Sequence, residues 1–118
     1  MRRTFLLATV FLFFAFGGAA FAHPPSDIKI AFDPSTKMLY AVIIHNVSNV
    51  LNHYIKKVDV AINGKEVIEQ HISRQDNNER QGVTYLLPDV KAGDVVSVEA
   101  YCSISGTLKK EITVKAAQ

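Results

Sequence analysis

From Ile28 onward the apolar residues of this chain fall into short runs, each closed by a turn-forming cluster. No window repeats with the 3.6-residue period of a helix. Ile28–Phe32 alternates and ends at Asp33-Pro34-Ser35-Thr36, where proline presets φ and the Asp and Ser side chains can bond the backbone. Met38–His45 is apolar on both faces, the pattern of a central strand buried on two sides. In His53–Ile62, Val58, Val60 and Ile62 share one face while Lys57 and Asp59 take the other. Asn63-Gly64 then predicts a tight hairpin, because both residues tolerate the positive φ that a type I′ turn requires. Lys65–Ile72 returns, Ser73–Gln81 reads as a polar mobile loop, and Val83–Leu87, Val95–Tyr101 and Leu108–Val114 complete the set. Seven short strands predict an all-β fold, an immunoglobulin-like antiparallel β-sandwich. There is no internal repeat or linker, so one domain is expected.

The first 22 residues stand apart from this pattern. Arg2 and Arg3 precede an apolar run from Phe5 to Phe16 interrupted only by Thr9, and Ala20-Phe21-Ala22 follows Gly17-Gly18. A basic start, an apolar stretch and a small-residue cleavage site are the parts of a secretory signal peptide. The expected division is a signal peptide over 1–22 and a mature domain over 23–118, periplasmic or secreted. Cleavage removes six of the seven phenylalanines and leaves Phe32. It also removes Arg2 and Arg3, so acids and bases balance in the mature chain and the formal charge of +2 disappears. Nothing then points to nucleic acid or to an anionic membrane surface, either of which needs concentrated basic charge.

Export also sharpens the question of sulfur. Cys102 is the chain's one cysteine, so no internal disulfide can form in a compartment that permits them. A lone thiol there needs burial, a partner chain or a metal. His45 closes one expected strand and His53 opens the next, which brings both imidazoles to one end of a sandwich. Cys102 closes the strand from Val95, near the same rim, and His23 heads the mature chain, stiffened by Pro24-Pro25. Three imidazoles and a thiolate are a donor set for iron, zinc or copper. The alternative from the residues alone is that His45 and His53 cap strand ends and Cys102 is a small buried hydrophobe. A catalytic triad from Ser73, His71 and Asp76 is not credible within one polar segment. Asp27, Asp33 and Asp59 read as solvated charges.

The stretch from His45 to His53-Tyr54-Ile55, followed by VDVAINGKEV and then VEAYCSISG, resembles the iron-binding domain of the desulfoferrodoxin and superoxide reductase family. The likeness runs from His23 to about Val114, and its specific parts are HYI and the C-terminal cysteine. It implies an immunoglobulin-like sandwich around a mononuclear non-haem iron centre. On that reading the metal ligands are His23, His45, His53 and Cys102, the last as axial thiolate. The implied activity is reduction of superoxide to hydrogen peroxide, with an electron donor as the further partner. The chain departs from the family pattern at Ser105, which stands where the motif C-x-x-H-G carries its fourth histidine. The His45–His53 gap is two residues longer than usual. The lysine that the family places before its first histidine would fall in the signal peptide, with Lys56 or Lys57 as substitutes, and His71 matches no ligand. Cleavage before His23 offers another donor, an α-amine beside an imidazole, in loose likeness to exported copper proteins. The alternatives are therefore a non-catalytic binder of iron or copper, or a metal-free sandwich that binds a protein or a sulfur compound.

Overall fold

The computed structural model describes residues 23–117; the expected signal peptide lies outside them. Seven strands form, β1 (Asp27–Asp33), β2 (Met38–Ile44), β3 (Ile55–Ile62), β4 (Lys65–His71), β5 (Arg80–Leu86), β6 (Val95–Cys102) and β7 (Thr107–Thr113). They make two antiparallel sheets, in the orders β1-β2-β5 and β4-β3-β6-β7. This is the expected immunoglobulin-like sandwich, with the fourth strand carried by the second sheet rather than the first.

Alternation sets the core. Leu39, Ala41 and Ile43 of β2 share one apolar cluster with Val58 and Val60 of β3 and with Val96, Val98 and Ala100 of β6. The predicted hairpin turn is present. Asn63 and Gly64 have φ of 50° and 81°, and the Asn63 side chain also bonds Asp94 and the Val95 amide in the neighbouring turn.

Two features shape the end of the sandwich where the histidines lie. In β3 the buried residues Ile55 and Val58 are three apart, against the two-residue rule. The register shift that allows this falls between Ile55 and Lys57, with Ile55 opposite Cys102 and Lys57 opposite Tyr101. Such a bulge re-aims the side chains beside it, so Ile55 turns inward opposite Cys102, which the alternation of β6 through Val96, Val98 and Ala100 already points to the core. The second feature shortens the polar loop read over Ser73–Gln81, which ends at Glu79. β5 begins at Arg80, three residues before the apolar run, and pairs Gln81 with Ile43 and Arg80 with Ile44. Gln75 and Gln81 are buried. The Asp76 carboxylate accepts from Gln81 Nε2 and from the Gly82 amide, while Gln81 Oε1 accepts from the Asp76 amide. The segment holds itself with side-chain bonds that a hydropathy pattern does not register.

Candidate metal centre

The loop from His45 to His53 is shaped by backbone bonds on both sides. The His45 amide donates to Glu79 O and the Val47 amide to Asn78 O, extending the β2–β5 pairing past the end of the strand. A turn then forms at Asn49, whose carbonyl accepts from the His53 amide at 3.0 Å and whose side chain accepts from the Leu51 amide. Tyr54 is tied to the β6–β7 turn, because its amide donates to Ser103 Oγ and its carbonyl accepts from the Ser103 amide. These bonds bring His53 against the end of β6. On the other side, Ser26 donates to Ile44 O, which seats the N-terminal segment and His23 over the same rim.

The three imidazoles meet. Ring centroids lie 4.9 Å apart for His23 and His45, 5.0 Å for His23 and His53, and 4.8 Å for His45 and His53, all edge to face. One nitrogen from each ring falls within 4.8 Å of the others. His45 is fully buried, and His23 and His53 are half-buried. The buried Cys102 sulfur lies 3.2 Å from His53 Nε2. The donor group with all atoms inside that 4.8 Å limit holds the imidazoles alone, so the sulfur adjoins it through His53.

The hydrogen bonds identify which nitrogens are free. Gln75 donates both amide protons, to His45 O at 2.7 Å and to Asn77 O at 2.9 Å. Its remaining atom, Oε1, accepts from His45 Nδ1 at 2.8 Å. The proton of a neutral His45 is therefore on Nδ1, and Nε2 is bare. That bare nitrogen lies 3.3 Å from His23 O. A carbonyl oxygen cannot donate to it, so two lone pairs oppose each other unless a proton or a Lewis acid stands there. In His23, Nδ1 lies 3.1 Å from Pro24 O, which again puts the proton on Nδ1 and leaves Nε2 for other partners. Burial, followed by the neighbouring His45 and His23, lowers the pKa of His53 from its ordinary value of 6.5. The shift favours the neutral ring, the form that binds metals.

The three imidazoles form a group that could hold a metal ion. With metal–nitrogen distances near 2.1 Å, two imidazole nitrogens on one ion lie ~3–4 Å apart. A nitrogen and a thiolate at right angles on one ion would be ~3.1 Å apart, close to the His53–Cys102 separation. A ligating imidazole ordinarily donates its other N–H to a fixed acceptor, as His45 does to Gln75. A cleft of about 800 Å³ opens beside the rings. His23 and His53 stand in it with Asn46, Asn52 and Asn78, and Glu79 supplies its charge.

His71 is exposed on β4 and pairs with Glu69, in keeping with its expected surface role. Ser105 is exposed in the β6–β7 turn. Lys57 lies on the outer face of the second sheet, with its ammonium 4.2 Å from the Tyr101 ring centroid and 3.4 Å from Asp59. It is not a substitute for a lysine at the imidazoles. Sequence reasoning missed Gln75. Its place in the polar run Ser73–Gln81 gave no signal, and only the fold shows it buried.

Compared with protein-family models and with curated proteins, the chain matches none.

Proposed function

We propose that this protein, exported by the segment before His23, holds a single transition-metal ion, iron first and copper as the alternative, at the rim where its histidines converge. The observation that carries this reading is the meeting of three imidazoles, the buried His45 among them, whose donor atoms lie within 4.8 Å of one another. His23, His45 and His53 would hold the ion. Cys102 would join through its place beside His53, which also accounts for an unpaired thiol surviving outside the cytoplasm. Release of an α-amine at His23 by cleavage after Ala22 would supply one more nitrogen, offsetting the histidine absent at Ser105. A bound iron or copper ion supplies one-electron redox chemistry.

Metal holding takes precedence over catalysis on electrostatic grounds. Reduction of superoxide to peroxide draws an anion to the centre and delivers one electron and two protons. The cleft wall bears Glu79, and Lys57 is engaged on the opposite side of its sheet. Neither attracts an anion. Superoxide reductase activity is supported by the family resemblance.

The test is metal analysis of the protein purified from the exported fraction. Wild type is expected to carry about one equivalent of iron or copper, and His45→Ala and His53→Ala far less. If all three, together with Cys102→Ala, are metal-free and equally stable, the reading fails. Oxidation of iron-loaded protein should give a visible thiolate-to-ferric absorption that Cys102→Ala lacks. Decay of superoxide no faster than with free iron would dispose of the catalytic form.

A further inference from the structure

The buried amide of Gln75 has no chemistry of its own and all its hydrogen bonds made. Both of its protons and its oxygen are engaged, and each partner belongs to the loops that carry the site. Its own backbone amide donates to Val50 O, so the residue bridges the segment before β5 and the His45–His53 loop. Without such a neighbour His45 would keep only the His23 carbonyl, at Nε2, as an acceptor and would favour the other tautomer.

We infer that Gln75 fixes His45 as the Nδ1–H tautomer and thereby makes Nε2 its metal-binding atom. Gln75 is a positioning residue and acts only through the ring. Its amide cannot turn over, because an inverted amide would aim its NH₂ at the N–H of His45 and its oxygen at two carbonyls. The carbonyls of His45 and Asn77 thus choose the orientation of Gln75, and Gln75 chooses the tautomer of His45. His23 O, 3.3 Å from Nε2, is the competing acceptor, and the shorter 2.8 Å contact of Nδ1 with Gln75 Oε1 outweighs it. This assignment of the donor atom rests on the metal-holding reading, whereas the tautomer does not.

Long-range ¹H–¹⁵N correlation spectra of the metal-free, full mature protein above neutral pH read the tautomer directly. The expected result is a protonated Nδ1 and a bare Nε2 for His45, with Nε2 responding on addition of zinc(II). In Gln75→Leu the Nε2–H tautomer gains, because His23 O is then the acceptor left to the ring, and zinc affinity falls by about 10–100-fold, the usual loss for an outer hydrogen-bond partner of a ligand. Gln75→Glu keeps an acceptor for Nδ1–H and loses both donors. It is therefore expected to lose stability as Gln75→Leu does, yet keep the Nδ1–H tautomer and hold zinc within a few-fold of wild type. A purely structural Gln75 would make affinity follow stability in both variants, which overturns the inference. So does an Nε2–H ring or an imidazolium in the wild type. An Nδ1–H ring in wild-type protein that takes up neither zinc, iron nor copper overturns the donor assignment and the proposed function together, while the tautomer lock stands.

Discussion

Gly106 tests how the N-terminal segment reaches the site. It ends the β6–β7 turn with φ of 91°, a conformation L side chains rarely adopt. A Cβ built there would meet three atoms of Pro24, at 2.9, 3.0 and 3.0 Å, two of them backbone. Pro24 cannot retreat freely, since Pro25 is buried and Ser26 is bonded to Ile44. Gly93 provides the control, with φ of 90° and nothing within 4 Å of the same imaginary carbon. Gly93→Ala therefore reports backbone strain alone, about 1–2 kcal/mol. Gly106→Ala adds overpacking against Pro24, about 1–3 kcal/mol more, giving a total loss of about 2–5 kcal/mol. Urea unfolding of the two variants against wild type measures the difference. Because Pro24 follows His23 directly, Gly106→Ala should also weaken metal uptake, and Gly93→Ala should not. Equal destabilisation by both substitutions, with metal uptake unchanged in both, would refute the idea that the turn glycine seats His23.

Leu39→Ala should cost about 2–5 kcal/mol in denaturant unfolding. It should leave metal affinity unchanged, because Leu39 and His45 are six strand residues apart, ~20 Å. Burial, with a smaller effect of Asp59, pushes the Tyr85 phenol up to about 12 from 10. A raised folded pKa means this contribution is complete below pH 10 and fades as pH climbs towards 12, because the unfolded chain gives up its proton first. Thermal unfolding across that window should show Tyr85→Phe losing less stability with rising pH than wild type, and parallel curves would contradict the assignment. The lowered pKa of His53 works in the opposite range. Metal-free wild type should lose stability as pH falls below 6.5, where the unfolded chain protonates first, and His53→Gln should flatten that slope.

Much of the architecture was legible in the residues themselves. Strand faces follow from period-two alternation, as Val58 and Val60 illustrate, and Asn63-Gly64 names its own turn because few residue pairs accept two positive φ values. His45 and His53 could be placed at one rim because a loop joining two strands must begin and end on the same side of a sandwich. Distance along the chain carries no such guarantee for Gln75, thirty residues from His45, or for Gly106 and Pro24, which meet only when β6 and β7 are folded against the first sheet. Alternation failed at Ile55, where a bulge in β3 shifts the register opposite Cys102. The sequence by itself determined the strands, the donor types and the end of the molecule where those donors lie, because these depend on local periodicity and chain reversal. The tertiary structure alone decided the contact between Gln75 and His45, the seating of His23 and the contact between His53 and Cys102. Each of these is a matter of one or two ångströms between groups far apart in the chain, and only packing sets such distances.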